Sequence, residues 1–173
     1  EILGRGWWLL ILKGVPNELV EGRERIEGNF IFSLWQDPDS IDDYKNTVIN
    51  GEDIITEDGK LYYGILQQLH KLGYATFDSS ALHAFLSDKP DLKIAFDGRG
   101  GYKEISNLKS LLKQDNLHSY YDELVKNNML INLYRKGFNV MEDLQKFSEM
   151  TSEEVYDYYD FQLNNICVGK VEK

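Results

Sequence analysis

The chain contains few residues whose types and spacing could support catalysis. A phosphate-binding loop requires the pattern GxxxxGK followed by serine or threonine, because its lysine and backbone amides neutralise the phosphates. This pattern does not occur in the 173 residues. The segment Gly98-Arg99-Gly100-Gly101 is rich in glycine but has no such lysine. It predicts a turn that leads into a helix N-terminus rather than a phosphate site.

The residues that could bind a metal are dispersed. His70, His83 and His118 fall in three different predicted helices, without the HxxxH or HxxE spacing that places two ligands on one helix face. The acidic run that begins at Asp37 lacks the glycine and the glutamate of a calcium loop. Cys167 has no adjacent histidine that would activate its thiol. We therefore predict no catalytic residue, no metal site and no cofactor within this chain.

Composition indicates a folded, acidic protein. Hydrophobic residues make up 42% of the chain and aromatic residues 13%, which is typical of a globular protein rather than a disordered one. The formal net charge of -10 disfavours a clamp of basic residues around a nucleic-acid backbone. The apolar run WWLLIL at residues 7–12 is far shorter than the ~20 residues of a membrane span. Residues 1–23 stay unassigned, and their apolar run fits a buried segment, an artificial extension or an exposed patch that binds a partner.

The helical signals are strong and the strand signals are weak. Apolar residues recur at helical spacing, whereas alternation with period two is nowhere sustained, so we predict an all-α fold. Thr56 and Asp78 are N-cap types, and Gly73 lies where the helix that follows Thr56 should end. Asn116 begins a long helix, and Thr151-Ser-Glu-Glu is a capping box that begins another, short one.

These elements predict an order of domains along the chain. We expect a compact multi-helix globular domain, then a helical hairpin, then a short linker helix. The predicted limits are residues 24–105 for the globular subdomain, 106–147 for the hairpin and 148–173 for the linker region.

Several short motifs also occur in a defined order. In residues 27–41 a glutamate is followed by an apolar core, a serine, Asp-Pro and an apolar residue, at positions Glu27, Ser33, Leu34, Asp37, Pro38 and Ile41. Later come Gly100-Gly101-Tyr102, then Asn116 with Tyr121-Asp-Glu-Leu-Val125, and finally residues 150–166. This series resembles the N-terminal domain and linker helix of phage-type DnaB-family replicative DNA helicases. Phe32 departs from the usual glycine of that family, and the family histidine near the start of the next helix is not evident.

The resemblance implies a role without catalysis. The chain would be the N-terminal collar of a ring-shaped, ATP-dependent 5'-3' replicative helicase. ATP and Mg²⁺ would bind a RecA-like motor that follows Lys173 in the parent protein, and that motor would make most contacts with DNA. The collar would self-associate as a dimer or within a hexameric ring, and it would bind primase and a helicase loader. A cytoplasmic location in a bacterium or a phage-infected cell follows, with no membrane association.

The resemblance also implies two sets of contact residues. Subunit contacts in the hairpin are expected at Leu124, Met129, Leu130, Leu133 and Tyr134. Docking of the linker helix on a neighbouring motor is expected at Val155, Tyr158, Tyr159, Leu163 and Ile166. From the residues alone, the apolar stripe of the linker helix fits two interpretations. It packs against its own chain, or it docks in a groove of another subunit.

Two other functions remain open at this point. The chain could be a free-standing adaptor or loader-type replication protein that binds a helicase. It could also be a small all-α enzyme whose site is assembled from scattered residues, in a pocket that the sequence does not reveal.

Overall fold

The structure is a computed structural model that describes residue 10, residues 12–44 and residues 53–171, with backbone alone at residues 114 and 166–171. Most of the apolar run at residues 7–12 lies outside the described residues. The sequence also predicts a short helix over residues 40–48, and part of that range lies outside them too. In the described ranges all regular structure is helical, so the all-α prediction is confirmed. None of the described helices is both long and apolar enough to cross a membrane.

The chain forms two compact units, Glu1–Tyr121 and Asp122–Lys173. The helices of the first unit are α1 (Asn17–Val20), α2 (Arg23–Gln36), α3 (Ile41–Tyr44), α4 (Glu57–Lys71), α5 (Ser79–Leu86), α6 (Pro90–Gly98) and α7 (Gly101–Ser110). Helix α8 (Leu117–Arg135) begins in the first unit and continues into the second, where α9 (Leu144–Ser148) and α10 (Ser152–Val171) follow. The division therefore falls within residues 106–147, and the domain limits given above stay predictions.

Helix α2 supplies much of the core of the first unit. Phe30, Leu34 and Trp35 are buried almost completely, and so are residues on the other faces of the helix. At its end, the Gln36 side-chain amide donates to the backbone carbonyls of Lys109 and Leu112, which ties α2 to the end of α7. A helix that is buried on most of its faces has only a narrow polar side, so the usual amphipathic pattern does not identify it.

Local signals correctly predicted the ends of α4. The Thr56 hydroxyl accepts the N–H of Gly59 at 3.0 Å and caps the first turn. After the last turn Gly73 adopts a φ of +88°. The N–H of Tyr74 then reaches the carbonyl of Leu69 at 3.2 Å, the pattern of a Schellman C-cap. The N-cap and the stop that the sequence predicted are both confirmed.

The segment between α5 and α7 was predicted only in part. Asp78 accepts the N–H of Ala81 at 2.8 Å, as expected of an N-cap. Residues 88–91 predict a break after α5, because proline is unfavourable inside a helix, but Pro90 is instead the first residue of α6. Proline is favoured there because its missing N–H has no intrahelical partner at that position. The glycine-rich turn was predicted correctly, since Gly100 has a φ of +101° and α7 begins at Gly101.

Glycine also ends α8. Gly137 has a φ of +93°, and the N–H of Phe138 donates to the carbonyl of Leu133 at 3.0 Å. This is again a Schellman arrangement, and it turns the chain out of the helix. Helix α10, in contrast, is longer than the short linker helix of the prediction, since it continues to Val171.

Candidate functional site

The second unit contains a cluster of four aromatic rings, Phe138, Phe147, Tyr158 and Tyr159, which we call the aromatic cluster. Phe147 lies 5.4 Å from Tyr158 and 5.6 Å from Tyr159 between ring centroids, and Phe138 lies 5.6 Å from Tyr159. These distances are in the favourable range for aromatic pairs. The first half of α10 is therefore anchored in its own unit.

Two charged residues of α8 hold the backbone around the start of α10. Both carboxylate oxygens of Asp122 accept the N–H of Ser152, at 3.1 and 3.2 Å, and the Ser152 hydroxyl also donates to Asp122. The Lys126 ammonium donates to the carbonyls of Phe147 at 3.2 Å and Met150 at 2.8 Å. These bonds satisfy backbone groups that helix ends otherwise leave without partners.

The capping box at the start of α10 forms only partly as expected. The Thr151 hydroxyl oxygen accepts the N–H of Glu154 at 3.2 Å, which is the N-cap bond. The Glu154 carboxylate accepts from the Thr151 hydroxyl at 3.3 Å. Thr151 therefore begins α10, as the sequence predicted, and Asp122 reinforces that start.

The two adjacent tyrosines of the aromatic cluster differ in their polar contacts. The Tyr158 hydroxyl donates to Asp143 at 3.0 Å, and this bond raises the pKa of Tyr158. The Lys146 ammonium lies 4.3 Å from the centre of the same ring. The Tyr159 hydroxyl is buried without a hydrogen-bond partner among the described residues. Burial raises the pKa of Tyr159 to about 12.

The apolar stripe of α10 changes from buried to exposed along the helix. Val155 is fully buried and Tyr159 is buried, but Leu163, four residues further, is 45% exposed. These residues share one face because a helix has 3.6 residues per turn. Phe161, which is 67% exposed, lies on a different face. The stripe therefore extends beyond the surface that buries its first half.

The predicted contact residues fall into different environments. In α8, Leu124 and Leu130 are buried, whereas Met129, Leu133 and Tyr134 are half-buried. In α10, Val155 and Tyr159 are buried, Tyr158 is half-buried and Leu163 is exposed, while the Ile166 side chain lies outside the described residues. The structure thus assigns Tyr159 a packing role in its own unit. The subunit and docking roles of both sets stay predictions.

Glu27, the first residue of the motif series, belongs to a buried ion pair. Its carboxylate lies 2.7 Å from the Arg23 guanidinium, and both side chains are almost fully buried. It also accepts the N–H groups of Ile55 and Thr56 at 2.8 and 3.1 Å. Gly59 must be a glycine here, since a Cβ at that position would lie 2.4 Å from a Glu27 oxygen. Glu27 therefore fixes the segment before α4 onto α2.

Sequence reasoning overlooked Arg23 and the two charged residues of α8. Arg23 stands four residues before Glu27, a spacing that pairs side chains on a helix and could have indicated the ion pair. Asp122 and Lys126 act on residues at least 21 positions away, and no local pattern marks such contacts. In the described part of the chain, no three or more His, Cys, Asp or Glu side chains are grouped as a metal site would require.

Comparisons with known proteins return no relative. No protein-family model matches the chain, no curated protein matches it, and no solved structure matches it. The likeness to the helicase collar therefore depends on the sequence motifs alone.

Proposed function

We propose that the chain is a non-catalytic assembly domain, the N-terminal collar of a DnaB-type replicative DNA helicase. In this role α10 attaches the collar to a neighbouring subunit of the ring. The collar binds primase and a helicase loader, and DNA is bound mainly by the motor. The net charge of -10 supports DNA binding by the motor rather than by the collar, because an acidic surface repels the phosphate backbone.

The observation that carries this proposal is the exposed continuation of the apolar stripe on α10. Val155 and Tyr159 are buried, which gives the helix a fixed starting position. Leu163 continues the same face into solvent. Burying a leucine side chain is favourable by roughly 1.5–3 kcal/mol, so a second surface that covers this face would gain affinity. A helix presented in this way fits a groove on a partner subunit.

The first test is the solution mass of the chain by light scattering over a concentration series. We expect dimers or larger rings, in mass-action equilibrium with monomer. In the full-length parent, whose motor the linker helix is expected to contact, Leu163→Ser should shift the ring toward smaller species, whereas Phe161→Ser, an equally drastic change on another face, should leave ring assembly unchanged. Equal effects of the two substitutions would show that the α10 stripe is not the contact.

A second test separates a helicase collar from a free-standing adaptor. The coding sequence of the native gene downstream of Lys173 should continue into a GxxxxGK motif followed by serine or threonine, because the proposed parent needs a motor. A stop codon near this position would contradict the collar assignment and favour the adaptor.

A further inference from the structure

The first unit contains a cavity of about 190 Å³ between α2, the start of α4 and α7. Its apolar floor consists of Gly28, Ile31 and Phe32 from α2, Tyr62 from α4 and Leu108 from α7. The Phe32 and Tyr62 rings meet edge to face with centroids 5.1 Å apart. The floor is thus an aromatic and aliphatic surface that an alkyl chain could contact.

The rim of this cavity is acidic. Glu24, Glu57, Asp58 and Glu104 line it together with a single cation, Arg99, which leaves an excess of three negative charges. Arg99 is bound to Asp58 at 2.5 Å. The other three carboxylates form no ion pair within the described residues.

Helix dipoles reduce this excess but do not cancel it. The rim carboxylates lie in the first turns of α2, α4 and α7, where each helix contributes roughly half a positive charge. About one and a half negative charges therefore remain. Gly100 helps to place Glu104, because a Cβ at Gly100 would lie 2.7 Å from the Cβ of Glu104. The rim is consequently a defined set of carboxylates above an apolar floor.

The polar atoms of the floor are already satisfied. The Tyr62 hydroxyl donates to the carbonyl of Arg99 at 3.3 Å. Burial, reinforced by Asp58, raises the pKa of Tyr62 to about 12, so the hydroxyl stays protonated at neutral pH. The floor can therefore accept an apolar stem without leaving a buried polar group unpaired.

We propose that this cavity binds the side chain of a lysine or arginine from a partner protein. The alkyl stem would lie on Phe32 and Tyr62, and the cation would lie among the rim carboxylates, an arrangement that suits such amphipathic side chains. A space of 190 Å³ exceeds the roughly 150 Å³ that accepts benzene. It is smaller than the roughly 300–1,000 Å³ of most small-molecule sites, which favours one side chain over a whole cofactor. This inference does not depend on the proposed function.

The test uses the isotope-labelled chain and amide chemical-shift titrations with blocked amino acids. The probes are the N-acetyl methylamides of lysine, arginine and norleucine, together with methylammonium. We expect lysine or arginine to shift amides around Gly28 and Tyr62 saturably and norleucine to bind more weakly. Comparable binding of norleucine would contradict the charge argument. If methylammonium bound as tightly as lysine, the cavity would be a free-cation site and the side-chain assignment would be wrong. If neither lysine nor arginine gave a saturable shift, the proposed site itself would be wrong.

Two pairs of variants locate the binding. Gly28→Met should fill the cavity and abolish the shifts, because a Cβ at Gly28 meets nothing closer than Phe32 at 3.7 Å. Gly64→Met is the matched control, since Gly64 is also in a helix and has nothing within 4 Å. Glu104→Gln should weaken binding about two- to fivefold, the range for an exposed ion pair, while Glu153→Gln in the second unit should not. Unchanged binding in both Gly28→Met and Glu104→Gln would contradict the proposal.

Discussion

Asp122 and Lys126 lie one turn apart on α8 and bind the facing ends of the next two helices. The Asp122 carboxylate accepts the first N–H of α10, from Ser152, whereas the Lys126 ammonium donates to carbonyls at and just after the end of α9. An anion at a helix N-terminus and a cation at a C-terminus both interact favourably with the helix dipole. One turn of α8 thereby determines where the chain leaves α9 and where α10 begins.

Lys126→Met should loosen this junction. The substitution keeps an apolar stem but leaves the carbonyls of Phe147 and Met150 without their charged donor. We expect a loss of about 1.5–3 kcal/mol, the range for hydrogen bonds to charged groups. Hydrogen exchange of the α10 amides measures this local stability directly, and Lys113→Met, an exposed lysine of the first unit, is the control. Unchanged protection in Lys126→Met would mean that the junction is held by packing alone.

Tyr159→Phe should not destabilise the second unit. The Tyr159 hydroxyl is buried without a partner in the described structure, and a buried unpaired hydroxyl is costly. Tyr159→Ala, in contrast, should cost about 3–5 kcal/mol, because it removes a ring that contacts Phe138 and Phe147. Both effects are measurable by hydrogen exchange in α10, while amides of α4 should be unaffected. A marked loss in Tyr159→Phe would reveal a partner for the hydroxyl.

Two of the buried tyrosines, Tyr62 and Tyr159, predict sensitivity to alkaline pH. The pKa values of Tyr62 and Tyr159 are raised from 10.0 to about 12, so the folded state retains protons that the unfolded state has lost. The stability that these two protonated tyrosines contribute should be fully present below pH 10 and should fall between about pH 10 and 12, by up to about 1.4 kcal/mol per pH unit for each tyrosine. Urea unfolding across this range measures the slope. Tyr159→Phe should reduce it, and a slope equal to that of the wild type would contradict the assignment.

Glu27→Gln should strongly destabilise the first unit. It removes the carboxylate charge that lies 2.7 Å from the buried Arg23 guanidinium and weakens the acceptor for Ile55 and Thr56. Breaking one partner of a buried ion pair costs about 3–5 kcal/mol. Urea denaturation measures the change in the free energy of unfolding, and hydrogen exchange in α2 and α4 locates it. The exposed Glu21→Gln is the control. A loss below about 1 kcal/mol, the typical value for a surface pair, would show that the pair contributes little.

Gly64→Ala should stabilise α4. Gly64 lies inside the helix, and an added Cβ meets nothing within 4 Å, so the substitution reduces the entropy of the unfolded chain without strain. The expected gain is about 0.5–1 kcal/mol in the free energy of unfolding. Gly73→Ala is the counterpart, since its φ of +88° is unfavourable for alanine and the same change should destabilise. Equal effects at the two positions would contradict the conformational argument.

The limits of sequence-based prediction are clearest at the boundaries of helices and in the core. Thr56, Asp78 and Thr151 act on N–H groups three residues away, and their roles were correctly predicted. Helix α2 was not assigned as an element, because burial on most faces removes its amphipathic pattern. Helix α6 was missed because its proline was treated as a break.

The sequence by itself determined the helical class, the N-caps of α4, α5 and α10 and the glycine stop of α4, since each depends on residues a few positions apart. Only the tertiary structure decided which half of the α10 stripe is buried and which carbonyls Lys126 binds. It also brought four rim carboxylates together around one cavity. These features join residues that are distant in the chain. Their free energy comes from packing and desolvation, which no local pattern of residue types specifies.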